Sequence, residues 1–158
     1  MKVVINKCYG GYSLSRKAVT RQAELEGKTA YFFTHTYDKD NMTVWVPAKK
    51  HDPSKGLDLF VTAFDIPNPN EALGSKKNWR DMTDAERVEH NDLYSKHFLD
   101  FRPKDRTSSN LIRVVEELGE EANGPCAKLA VVEIPDGVKF EISEYDGLEH
   151  IAEVHRIW

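Results

Sequence analysis

The chain has 158 residues, 40% hydrophobic and 30% charged, with a net charge of -4. That composition supports one ordinary core and excludes a disordered chain, while the acidic balance argues against general binding to a phosphate backbone and leaves room for local basic patches. Two distant cysteines, Cys8 and Cys126, make neither a disulfide framework nor a zinc cluster, and no run reaches the ~18 apolar residues of a membrane span.

In chain order, Lys2–Lys7 reads as a strand, because Val3, Val4 and Ile5 are consecutive and suit burial on both faces. Gly10 and Gly11 break it, and Ser13 or Ser15 caps a helix running to about Glu26, with Gly27 at its end. The segments TAYFFTHTY and MTVWVPA, joined by YDKDNM, predict a hairpin, and LDLFVTAF a third strand stopped by DIPNPN. Thr83 to Glu86 is a capping box that starts a helix to about Leu99 with a weak apolar stripe. Ser108 or Ser109 caps the next helix, whose Leu111, Val115, Leu118 and Ala122 share a face and which Asn123-Gly124 ends. KLAVVEI is a buried strand, VKFEISEY a half-exposed one, and Asp146-Gly147 turns it into a last strand, HIAEVHRIW. The outline is an α/β chain of the α+β kind: a mixed β-sheet with flanking helices, a C-terminal β-hairpin and an inserted hairpin and helix region. We read residues 1–158 as a single domain, with 28–101 as an elaboration between two more regular ends.

The head NKCYGGYSLS, the segment LIRVVEELGEEANGPCAKLAVVEIPDGV and the tail EISEYDGLEHIAEVHRIW resemble a widespread group of small bacteriophage proteins. Those share an N-K-C-aromatic-G-G-aromatic head and an E-Y-D-G…A-E-x-H-R-x-W tail. The resemblance covers roughly residues 1–20 and 106–158. It implies a phage or prophage accessory protein and supplies no catalytic residues to carry over. Phages make small sponges and blockers of host defence, a parallel of context rather than of sequence.

Two segments have the residues of an anion site. In the first, a strand, the Gly10-Gly11 turn and the Ser13/Ser15 helix start bring backbone N–H groups and a positive dipole end together, with Arg16 in the first helical turn. The same residues also make an ordinary tight turn with an N-cap, and they match neither known nucleotide loop. In the second, FRPKDRTSSNLIR, Arg102, Lys104 and Arg106 precede a helix start at Ser108 or Ser109, and Arg113 follows. It reads equally as a solvated linker. If both starts met at one sheet edge, a ligand with two phosphates could bridge them. Tyr9 and Tyr12 flank the glycines and could stack a base, whereas Tyr31, Phe32, Phe33, Tyr37 and Trp45 read mostly as core.

Other chemistry is thinner. Cys8 stands near a helix start that would activate a thiol, but Leu14 occupies the place of a phosphatase arginine, and a small buried residue explains it as well. His90 and His97 are seven apart, not the zinc-gripping four, and Asp38, Asp40 and Asn41 lack the rest of a calcium loop. No metal and no cofactor is expected. Glu116, Glu117, Glu120 and Glu121 read as a solvated helix face. Three functions follow, in this order: a counter-defence protein that binds and sequesters a phosphorylated small molecule such as a nucleotide signal; a protein–protein inhibitor of a host defence complex, like an anti-CRISPR; and a small hydrolase of a phosphorylated compound that uses Cys8 or a histidine. The opening MKVVINK lacks the apolar segment of a signal peptide, so the expected place is the host cytoplasm. An exposed last strand invites pairing into a homo-oligomer.

Overall fold

Val3, Val4 and Ile5 are all buried, which is why three apolar residues stand in a row where a half-exposed strand would alternate. The fold is known from a computed structural model that describes residues 1–49, 60–74 and 77–154. In chain order its elements are β1 (Lys2–Asn6), α1 (Arg16–Leu25), β2 (Tyr31–Tyr37), β3 (Thr43–Pro47), β4 (Thr62–Phe64), α2 (Pro69–Ala72), α3 (Asp84–His97), β5 (Phe98–Leu99), α4 (Ser109–Leu118), β6 (Leu129–Glu133), β7 (Phe140–Tyr145) and β8 (Leu148–Glu153). Short 3₁₀ turns occupy Trp79–Asp81 and Gly119–Ala122. This is an α+β fold with the expected C-terminal hairpin and inserted region. All strand pairs among the described residues are antiparallel, and they form three sheets. The parallel-sheet geometry that would gather loop ends at one edge is therefore missing from the described residues.

The chain divides into two units, Met1–Glu26 with Phe101–Trp158 and, inserted between them, Gly27–Asp100. In the first unit β1 pairs with β6, Val4 opposite Val131. Helices α1 and α4 bury Ala18, Val19, Ala23, Leu111, Val114 and Val115. α1 starts at the expected Ser15, whose side chain accepts from the Ala18 N–H. α4 stops earlier than the apolar spacing suggests: Gly119 takes φ 54° and ends it, and Ala122 is buried from the following 3₁₀ turn. Asp146 and Gly147, at φ 51° and 83°, make the tight turn of the β7–β8 hairpin.

In the second unit the strand order is β3-β2-β4-β5. Phe33, Phe64 and Leu73 are its buried centre, with Trp45, Leu93, Tyr94 and Phe98 against them. The capping box at Thr83 is complete on both sides. α3 has no fully buried residue, in keeping with its weak stripe. Part of the expected third strand, residues 57–59, lies outside the described residues, as does the chain end from 155. Among the described residues no helix is long and apolar enough to cross a membrane.

Candidate ligand-binding site

The two expected anion segments do meet, but through side chains that the fold has already used. Arg106 forms a forked pair with Glu149, at 3.1 and 3.0 Å, and its guanidinium carbon lies 3.1 Å from the centre of the Tyr12 ring. Tyr12 and Glu149 are buried, so this arginine is held between an aromatic face and a carboxylate. Arg106 also accepts from the Val4 N–H through its carbonyl, at 2.9 Å, and Phe101 from the Leu14 N–H at 2.7 Å.

The glycine turn is tied to the hairpin. The fully buried Asn6 donates from Nδ2 to the carbonyls of Cys8 and Gly147, at 2.8 and 2.6 Å, and accepts from the Lys128 N–H at 2.8 Å. The Asn6 N–H reaches Glu149 at 2.7 Å, and the Gly10 N–H donates to the Asp146 carbonyl at 3.2 Å. The thiol of Cys8 is directed to Asn6 Oδ1 and the Cys126 carbonyl, at 3.4 and 3.3 Å. Head, middle and tail motifs thus converge on one interlocked cluster.

The helix starts do not converge. Lys17 pairs with Glu121 at 2.5 Å and Arg21 with Glu117 at 2.8 Å, so α1 and α4 run antiparallel and their N-termini lie at opposite ends. A ligand bridging both starts does not fit this geometry. The start of α1 is filled from within: the Ser15 hydroxyl donates to the Glu121 carbonyl at 2.6 Å, and the Ser15 N–H to Ala122 at 2.9 Å. Ser108 caps α4 by position with no side-chain bond, and Ser109 is its first, exposed residue. Arg113 pairs with Glu117 at 2.6 Å. Glu117, hydrogen-bonded first by Arg21 and then by Arg113, is held down to about 2. Tyr9, Arg102 and Lys104 are exposed, Gly11, Ser13 and Arg16 half-buried. Asp105, between Lys104 and Arg106, accepts from the Thr107 hydroxyl and N–H, which lowers its carboxyl.

The inserted unit holds a cavity of about 460 Å³, within the range of about 300–1,000 Å³ for small-molecule sites. Alternation along β2 puts His35 and Tyr37 on one sheet face, and His35 pairs across to Trp45 on β3. His35 stands edge-to-face with both, its ring centre 5.7 Å from Tyr37 and 5.8 Å from Trp45. Asn70 clamps the open edge of β3, accepting from the Trp45 N–H and donating to its carbonyl, each at 2.7 Å.

The facing wall comes from the 3₁₀ turn and α3. His90 and Tyr94, one helical turn apart, both line the cavity. Trp79 stands across His90 at 5.9 Å with the Arg87 guanidinium 5.7 Å over its ring. Burial raises the Tyr94 phenol and keeps it neutral. The Nδ1 of His90 is buried with no hydrogen-bond partner among the described residues. Lys77 and Arg80 stand among the lining. Lys77 is 2.5 Å from Glu86, whose carboxyl that bond and the Thr83 N–H hold down to about 2. Arg80 has no ion pair among the described residues. The described lining includes no carboxylate and no thiol.

Chemically this cavity can stack a flat ring and hold an anion. Sequence reasoning flagged Tyr37 and Trp45 as aromatics and read them as core. It missed Trp79, Arg80 and His90 as site residues, although the i, i+4 spacing of His90 and Tyr94 was a readable signal. Elsewhere His97 is 2.8 Å from Asp65, which also faces Lys28 at 3.5 Å. Comparisons of the chain with family models, curated proteins and solved structures give no match.

Proposed function

We propose that the protein is a phage-encoded accessory factor of the host cytoplasm that binds and sequesters a phosphorylated small molecule, such as a nucleotide immune signal, without chemistry of its own. The observation that carries this reading is the cavity of the inserted unit, with aromatic walls and, in its lining, Arg80, which has no ion pair among the described residues. Rings supply sequence-tolerant stacking, worth ~1–3 kcal/mol per base. A guanidinium suits a phosphate better than an ammonium because its fork matches two oxygens. The absence of carboxylates among the described lining residues suits an anion. Isothermal titration against mononucleotides, cyclic nucleotides and ADP-ribose derivatives tests it: saturable heat from at least one supports sequestration, and no heat from any overturns it.

A second reading has one observation of its own. The outward face of α3 carries a shallow groove in which Ala85, Val88 and Leu93 stand among Asp84, Glu89 and Asp92, and Val88 is 59% exposed. An apolar stripe rimmed by charge is the form of a protein-binding helix, which suits an inhibitor of a host defence protein. One host protein captured by the wild type and lost with Val88→Asp would favour this reading; equal capture by both would remove it.

A further inference from the structure

We propose that the outer edge of β6 is an interface for a second copy of this chain, which pairs with it antiparallel about a two-fold axis at Val132. Every residue involved belongs to Met1–Glu26 and Phe101–Trp158, so this surface is independent of the cavity in the inserted unit.

Among the described residues β6 has one partner strand, β1. In an antiparallel ladder alternate residues turn their N–H and C=O to the neighbour, and the rest turn them away. The Lys7 N–H donates to the Lys128 carbonyl at 2.7 Å, and at the other end the Ile134 N–H donates to the Met1 carbonyl at 2.9 Å. With Ile5 opposite Ala130 and Val3 opposite Val132, it follows that Ala130, Val132 and Ile134 face β1, while Leu129, Val131 and Glu133 face outward. The outward groups of β1 are engaged: the Val4 N–H donates to the Arg106 carbonyl and the Asn6 N–H to Glu149. On β6 the Leu129 N–H donates to Asn123 Oδ1 at 2.7 Å. The N–H and C=O of Val131 and of Glu133 have no hydrogen bond among the described residues. The side chains agree. Val3, Val4 and Ile5 are at most 1% exposed, yet Leu129, Ala130, Val131 and Val132 opposite them are all half-exposed. An apolar strand beside unpaired backbone groups is a template for another strand.

This edge is complementary to itself. An axis at Val132 sets Val131 of each copy opposite Glu133 of the other, and each such pair exchanges both N–H···O=C bonds. Every free group of the two residues is then used, and the Leu129 N–H is not called on. An axis at Val131 would need that N–H, which Asn123 already holds. The same register carries Lys128 of one copy to Asp136 of the other. Lys128 has no ion pair among the described residues, and Asp136, 90% exposed at its side chain, spends one oxygen on the N-terminal ammonium. Opposite charges therefore meet at both ends of the contact. Two-fold symmetry closes the assembly at a dimer, and a pairing this short belongs with the weak, reversible interfaces. The homo-oligomer expected from the last strand is thereby assigned to β6.

Sedimentation velocity of the full chain, from micromolar to submillimolar concentration, tests this. The expected result is a reversible rise from monomer to dimer and no further. Glu133→Pro removes an outward N–H and no bond to β1, so it should weaken the dimer roughly tenfold or more. Lys128→Glu and Asp136→Lys should each weaken self-association, because like charges then meet at both ends. An equimolar mixture of those two variants should associate again, because each then faces an opposite charge at both ends. Amide exchange gives a local readout: Val131 and Glu133 should gain protection as concentration rises, whereas Val132, bonded to β1, should not change. Circular dichroism confirms that each variant is folded, and if Glu133→Pro does not fold, the mixing of the charge variants decides alone. A wild type that stays monomeric throughout overturns the proposal. So does assembly beyond the dimer, and so does a dimer that Glu133→Pro and both charge variants leave as tight as before.

Discussion

Gly147 and Gly137 share a backbone conformation, φ 83° and 81°, and differ in their surroundings. A Cβ on Gly137 would meet nothing, while one on Gly147 would collide with the backbone nitrogens of Gly10 and Gly11. Alanine at Gly137 is therefore expected to cost only the left-handed strain, roughly 1–2 kcal/mol. Alanine at Gly147 should cost clearly more, since the head loop must also give way; matched urea melts of the two variants measure the difference. Arg106 gives a second expectation in the same cluster. Its partner Glu149 is 7% exposed at the side chain, so Arg106→Ala strands a buried carboxylate and should cost about 3–5 kcal/mol. Combining Arg106→Leu with Glu149→Gln should return much of that loss, because no charge is then left unpaired and an acceptor remains for the buried Asn6 N–H. If the double variant melts as low as Arg106→Ala, the pair is not what holds the cluster. These residues were readable as a pattern, NKCYGG with EYDGLE, but their partnership was not. Asn6 and Gly147 are distant in sequence, and nothing local announces that the amide of one binds the carbonyl of the other.

The legible elements were those whose causes lie within a few residues. Thr83 and Glu86 form their capping box wherever the helix packs, and Asp146-Gly147 selects its turn from backbone preference alone. The antiparallel placement of α1 and α4 was not legible, because it depends on which faces meet across the fold. Glu117 marks that interface, accepting from Arg21 on α1 and Arg113 on its own helix, at 2.8 and 2.6 Å. Its folded value of about 2 lies below the ordinary 4.5. A depressed carboxylate stabilises the fold above its unfolded pKa, and that contribution fades as pH falls from about 4.5 towards 2. Thermal melts of the wild type and Glu117→Gln should therefore differ most near pH 6 and converge near pH 2. Because the pair is at the surface, added salt should shrink the difference at pH 6. A gap independent of pH would assign the effect to packing rather than charge.

At the scale of the molecule, the head and tail motifs and the candidate site fall in different units. The quoted motifs of residues 1–20 and 106–158 lie within Met1–Glu26 and Phe101–Trp158, whereas the aromatic cavity lies within Gly27–Asp100. In the first unit the Gly10 N–H and the Arg106 guanidinium are engaged by Asp146 and Glu149. The first unit holds its own core, in which β1, α1, α4 and Ala122 bury their apolar faces together. Replacing residues 27–100 by a flexible Gly/Ser linker of about ten residues, which spans roughly 16–19 Å on average, should leave a chain that still unfolds cooperatively. Its urea dependence should fall to roughly half, because the slope follows the surface exposed on unfolding. Arg106→Ala should destabilise this shortened chain about as much as the full one, since Tyr12, Val4 and Glu149 all remain. Nucleotide binding should be lost altogether. A shortened chain that folds and still binds would return the site to the glycine turn and Arg102–Arg113, and one that unfolds without cooperativity would show that the first unit needs the insert to stand.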